Sequence, residues 1–294
     1  MKLGTQLLAL ESLDRPAALK LAHEWGCAGL EVTLPVADPR LDQAGLTEVL
    51  ATGARLRSEF QAHGLEVISL TPNLLLKQSA DAHALERVAR AADALGSRCV
   101  RMFFEPHVRW GGPNSKLDPV HAEYDGARHS REWMARQAES LSALMSHAER
   151  HALRFVFELH HGYVVNSASA ALRLLDAYPP SRAGVLLDPG NMVFEGGEGW
   201  RNSVQLLGPY LAYVHCKNAA WERGVDGRWH RKWAGLSEGI ANYPELLTAL
   251  KDEGFAGYLS VEDLRRELPA AQRIAEGLAY LKDLWTSDVR VMPQ

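Results

Sequence analysis

Short apolar runs alternate with helix-period segments almost from one end of this chain to the other, and that alternation leaves few folds open. LGTQLLAL reads as a first strand, followed by a helix from Arg15 to about Trp25. GLEVTL precedes a helix around Thr47 to His63, and LEVISLTPNL precedes Ala80 to Leu95, where Leu85, Val88, Ala92 and Leu95 recur at helical spacing. SRCVRMFF, RFVFEL, AGVLLD, LAYVHCK and GYLSVE continue the series. Helices are expected over Trp133 to Arg150, Ser167 to Ala177, about Trp200 to Leu207, Pro244 to Glu253 and Ala270 to Trp285. Strands linked in series by helices pair in parallel. About eight such units predict a closed (β/α)8 barrel, with an open parallel sheet as the competing architecture. The 294 residues fit one barrel domain spanning 1–294, since about 250 residues suffice for the barrel and the rest extends its loops.

Composition narrows the partners. Lys and Arg number 32 against 36 Asp and Glu, so the net charge of −4 offers no footprint for nucleic acid or an anionic membrane. No run approaches the roughly 20 apolar residues of a membrane helix, and the N-terminal stretch lacks a clear signal-peptide cleavage site. The three cysteines, Cys27, Cys99 and Cys216, are too scattered for a disulfide framework or a zinc motif, so the cytoplasm is the default location.

The chemistry concentrates at four strand ends. RFVFE closes on Glu158, AGVLLD on Asp188, LAYVH on His215 and GYLSVE on Glu262. In a parallel barrel the C-terminal strand ends converge on one face, which carries the active site. Carboxylates converging there repel one another unless a cation or proton lies between them. Three carboxylates and one imidazole suit one divalent metal ion: Mn2+ first, with Co2+, Mg2+ or Zn2+ as alternatives. Such an ion can polarise a carbonyl, acidify the neighbouring C–H and stabilise an enediolate, while a glutamate beside it moves the proton. Other signals carry less. His147 and His151 stand four apart but lack the metalloprotease order and read as a solvated helix face. Gly111-Gly112 lacks a nucleotide-site context, and no Walker or GxSxG motif occurs.

The pieces FELHH, LLDPGN, VHCKN, GLSEGIANYPELLTALKDEGFAGY and SVED resemble the sugar phosphate isomerase/epimerase superfamily, the xylose isomerase-like TIM barrels. The resemblance spans nearly the whole chain and is strongest from Phe155 onward. It implies that Glu158, Asp188, His215 and Glu262 bind the metal, and that Glu158 and Glu262 form the acid/base pair. It also implies a small carbohydrate-like substrate and a homodimer. His160, Asn191, Lys217 and Arg223 are the candidate substrate-binding residues, whereas His161 is expected to point away. Two departures stand out: Asn191 replaces a substrate-contacting His of several relatives, and Asn218 replaces the Asp of a His-x-Lys-Asp pattern. The loop after strand seven (Trp221, Arg223, Trp229, His230, Arg231, Trp233) and Arg109 with Trp110 suit sugar stacking, a lid or a dimer interface. Glu31, Asn73 and Glu105 end or follow strands two to four at the pocket. The implied activity is isomerisation or epimerisation. Dehydration of the inosose or dehydroshikimate type is the alternative, because both begin with the same proton abstraction. The DNA-cleaving branch of the fold needs more ligands and a basic surface, and xylose isomerase proper needs more carboxylates after strand six than DPGN provides.

Overall fold

A computed structural model describes residues 1–38, 40–72, 74, 76, 81–105 and 130–287. Asn73, Arg109, Trp110 and Gly111-Gly112 lie outside the described residues. The strands are β1 (Lys2–Gln6), β2 (Gly29–Thr33), β3 (Glu66–Thr71), β4 (Cys99–Phe103), β5 (Arg154–Glu158), β6 (Ala183–Leu187), β7 (Leu211–Cys216), β8 (Asn218–Arg223), β9 (Trp229–Ala234) and β10 (Tyr258–Val261). The helices are α1 (Arg15–Glu24), α2 (Gln43–Ala62), α3 (Ala82–Leu95), α4 (Ser130–His151), α5 (Ala168–Leu175), α6 (Pro189–Phe194), α7 (Trp200–Leu207), α8 (Tyr243–Asp252) and α9 (Ala270–Thr286). β1 to β7 and β10 close into a parallel barrel, with β1 paired to both β2 and β10. Closure rules out the open sheet. Helix starts are marked by short polar side chains that accept from free backbone N–H groups: Asp14 from Ala17, Asp42 from Gly45, Ser167 from Ala170 and Asn242 from Glu245.

The period-2 alternation of each strand divides the core into two layers. On β5, Phe155 and Phe157 face the helices, while Val156 packs inside the barrel with Ile68, Leu186 and Tyr213. This small inner cluster forms the floor of the barrel. Two residues further along their strands, above Val156, Leu186 and Tyr213, come Glu158, Asp188 and His215. The floor therefore sets the direction of the site, because residues i and i+2 share a face.

Four local readings are corrected or refined. Leu7–Leu10 forms a 3-10 turn rather than the end of the first strand, so β1 stops at Gln6 and leaves that side chain at the mouth. The DPGN turn opens helix α6, because Asp188 accepts from the Asn191 N–H and Pro189 suits the first helical turn. The loop after strand seven contains the antiparallel hairpin β8–β9, with Trp221 opposite Arg231 and Arg223 opposite Trp229. His147 is also not on a solvated face: it is buried, and its Nε2 meets the Leu85 carbonyl at 3.1 Å. Among the described residues no helix is long and apolar enough to cross a membrane.

Candidate metal centre

Glu158, Asp188, His215 and Glu262 each bring one ligand atom to the same point, all within 4.8 Å of one another. The His215 Nδ1 atom faces Glu158 Oε1 at 3.6 Å, Asp188 Oδ2 at 3.6 Å and Glu262 Oε2 at 3.4 Å. Neither His215 Nδ1 nor Asp188 Oδ2 has a hydrogen-bond partner, although both are buried. Lys217 Nζ does lie 2.7 Å from Asp188 Oδ2, as an ion pair. A buried imidazole nitrogen without a hydrogen-bond partner, facing three carboxylates, is what a metal would satisfy.

The far side of the imidazole fixes its orientation. His215 Nε2 lies 3.0 Å from Glu31 Oε1 and 3.2 Å from Oε2. A carboxylate only accepts, so Nε2 carries the hydrogen and Nδ1 turns towards the cluster. Glu31 is itself held by Ser260 Oγ at 2.5 Å and the Tyr213 hydroxyl at 3.1 Å. Burial alone would raise the Glu31 carboxyl, but the charge and hydrogen bond of His215 and the charge of Arg101 hold it below the usual carboxylate range. Burial likewise disfavours a charged His215, yet Glu31 and Glu262 outweigh it and favour a cation at the ring. With His215 neutral, as a metal ligand must be, Glu31, Glu158, Asp188 and Glu262 carry four formal negative charges against two buried cations, Arg101 and Lys217. A divalent ion balances that excess. Glu31→Gln removes the charge behind His215 and is expected to weaken Mn2+ binding about 10-fold or more, measured by calorimetric titration; unchanged affinity would remove Glu31 from this role.

Arg101 forks onto Glu158 Oε2, with Nη2 at 2.5 Å and Nε at 3.1 Å, and its Nη1 lies 3.7 Å from Glu31. Burial opposes ionisation of Glu158, but Arg101 and His215 hold its carboxyl well below the usual range. Lys217 Nζ donates to Glu262 Oε2 at 2.6 Å, and Gln6 Nε2 donates to Glu262 Oε1 at 2.5 Å. Burial opposes ionisation of Glu262 too; Lys217 first and then His215 outweigh it. Sequence reasoning missed Arg101 and Gln6. The signal for Arg101 was a basic residue inside the apolar run CVRMFF, which a barrel strand tolerates only beside acidic partners.

The family model of the xylose isomerase-like TIM barrel matches residues 19–284. The chain belongs to this family. Among solved structures it is similar to the probable 3-DHS dehydratase AsbF of Bacillus anthracis, at 18% identity and TM-score 0.67, over 96% of this chain and 99% of that one. It is similar to the IOLI protein, whose structure holds a zinc atom, at 19% identity and TM-score 0.69, over 97% and 98%. It is also similar to 3-keto-D-glucoside 4-epimerase from E. coli, at 17% identity and TM-score 0.65, over 96% and 99%. At these identities the likeness establishes the fold. No curated protein sequence matches the chain.

This xylose isomerase-like barrel distributes the residues expected at its substrate site unevenly. Lys217 joins the cluster, between Asp188, Glu262 and the Trp233 ring, whose centroid is 5.0 Å from Nζ. His160 Nδ1 donates to the His161 carbonyl at 2.7 Å, and its ring packs against Tyr163 and Phe103. Burial, the largest influence, lowers its pKa and keeps it neutral. Asn191 is fully buried, and its Nδ2 faces Glu158 Oε1 rather than the opening. His161 does not point away: its Nδ1 meets Asn191 Oδ1 at 2.7 Å. Arg223 is exposed near the hairpin tip, where its Nε donates to the Gly227 carbonyl. Arg231 is the hairpin arginine nearer the site, packed over Phe194 and Trp221 and 3.3 Å from Glu195. Asn218 is buried and tethers the following loop through Leu236, Ala241 and its own neighbour Ala219. Glu105 is buried at the end of the segment after β4.

Proposed function

We propose that this protein is a divalent-metal-dependent isomerase or epimerase of a carbohydrate-like α-hydroxy carbonyl compound, acting by proton abstraction next to the carbonyl. The observation that carries the reading is the convergence of Glu158 Oε1, Asp188 Oδ2, His215 Nδ1 and Glu262 Oε2 on one point, with the far nitrogen of His215 held by Glu31. A metal ion held there supplies Lewis acidity to a carbonyl oxygen. The family and its structural neighbours, which include an epimerase and a dehydratase, support the same class of chemistry.

The residues divide the work by exposure. Glu262 keeps 13% of its side chain exposed, against 1% for Glu158 and none for Asp188 or His215. Glu262 is therefore the carboxylate that meets a substrate C–H. Lys217, 2.6 Å away, holds it ionised and ready to accept the proton. Glu158 is the second member of the acid/base pair, with Arg101 fixing one of its oxygens. Arg101 also gives weight to a second reading, dehydration. With Glu158 clamped and almost fully buried, the more exposed Glu262 serves as the single base. It takes the C–H proton while the Lys217 ammonium protonates a departing β-hydroxyl, so that water leaves and a C=C bond forms.

Solvent deuterium incorporation tests the proposal. The protein is loaded with Mn2+ and exchanged into Mg2+, and ketoses, inososes and keto-acids are followed by NMR in D2O. Exchange next to a carbonyl, lost on chelation, is the expected result. An epimer then marks the first reading, and a new ultraviolet-absorbing enone the second. A metal-loaded protein that exchanges none of the panel would refute both.

A further inference from the structure

We infer that His161 and Asn191 form a positioning couple that aims the Glu158 carboxylate at the metal, an inference that rests on the metal-dependent reading above. Asn191 touches two ligand carboxylates through different groups. Its backbone N–H donates to Asp188 Oδ1 at 3.0 Å, which leaves Oδ2 to face the cluster. Its side-chain Nδ2 donates to Glu158 Oε1 at 3.4 Å and to the Leu159 carbonyl at 3.3 Å.

The direction of the amide follows from its partners. Glu158 Oε1 and the Leu159 carbonyl only accept, so the NH2 end must face them and Oδ1 must face His161. His161 Nδ1 supplies the matching donor at 2.7 Å. Without that donor the amide can turn over, and its oxygen would then oppose Glu158 Oε1, acceptor against acceptor. Arg101 grips the other oxygen of the same carboxylate. Glu158 is thus held at both ends, and the Asn191 end depends on His161.

His161 is fixed in turn by apolar packing. Its ring lies 5.3 Å from Phe194 on α6 and 6.0 Å from Trp233 on β9, centroid to centroid. A contiguous packed path therefore runs from the hairpin to the ligand geometry. Asn191 and His161 are buried, at 0% and 4% exposure, so they act through the ligands and not on the substrate.

Calorimetric titration of the metal-free protein with Mn2+ tests the couple. His161→Leu and Asn191→Leu are each expected to weaken binding about 10- to 100-fold, and the double variant no more than the worse single one. His161→Asn keeps an N–H near the position of Nδ1 and is expected to bind within about threefold of the parent protein. His161→Gln places its donor one bond further out and is expected to bind as weakly as the Leu variant; this pair decides the matter even if the Leu variants do not fold. Wild-type-like affinity in the Leu variants, losses that multiply in the double variant, or equal weakness of His161→Asn and His161→Gln would each overturn the inference while leaving the metal site intact. Failure of the parent protein to bind Mn2+ would instead overturn the metal reading itself, and the couple with it.

Discussion

Glu262→Gln is expected to leave the barrel folded and to lower kcat by about 10²- to 10⁴-fold, the usual contribution of a positioned general base. The substitution keeps the size of the side chain but removes the carboxylate proposed to accept the proton. It also leaves one amide oxygen to serve two donors, since Lys217 Nζ and Gln6 Nε2 each now reach a separate carboxylate oxygen. One donor loses its acceptor, at a cost of about 1–3 kcal/mol, tolerable for a domain of this size. Turnover and solvent exchange should fall together, while circular dichroism and the cooperative melt persist. Near-normal turnover in a folded variant would take Glu262 out of the chemistry.

Arg101→Met has the largest expected effect on stability. The guanidinium neutralises Glu158 through two hydrogen bonds and lies 3.7 Å from Glu31. Its removal leaves two buried carboxylates short of a cation, a change that costs about 3–5 kcal/mol in the metal-free protein. Burial works to raise the Glu158 carboxyl, but Arg101 and His215 hold it well below 4.5. A folded pKa lowered in this way contributes stability above the unfolded value that is lost as pH falls through the folded one. The difference between parent and variant in urea unfolding should therefore be full at neutral pH and shrink below about pH 4.5. Mn2+ should recover part of the loss, because it supplies charge at the same carboxylate. A difference below about 1 kcal/mol at neutral pH in chelator would show that Glu158 finds its compensation elsewhere.

The barrel and the gathering of four candidate ligands at its mouth were legible for a local reason. In RFVFE the phenylalanines mark the helix-facing layer, so Val156 and Glu158 must share the inner one; the same parity brings in Asp188 after Leu186 and His215 after Tyr213. The limits of the alternation were also local. LLAL is apolar enough for a strand and packs as a 3-10 turn, and the Trp- and Arg-rich stretch after β7 hid a hairpin because its two strands carry no regular apolar alternation.

Periodicity along each strand thus determined which residues face the barrel interior and that acidic groups collect at its C-terminal end. Only the tertiary structure decided how those groups are paired. Glu31 reaches His215 across 184 positions of sequence, Arg101 reaches Glu158 across 57, and Gln6 meets Glu262 across 256. Asn191 turns inward to Glu158 instead of outward to the opening. The physical reason is range. The side-chain period depends on neighbouring backbone geometry, which the local sequence carries, whereas a hydrogen bond or ion pair depends on a few ångströms of separation that exist only once the barrel has closed.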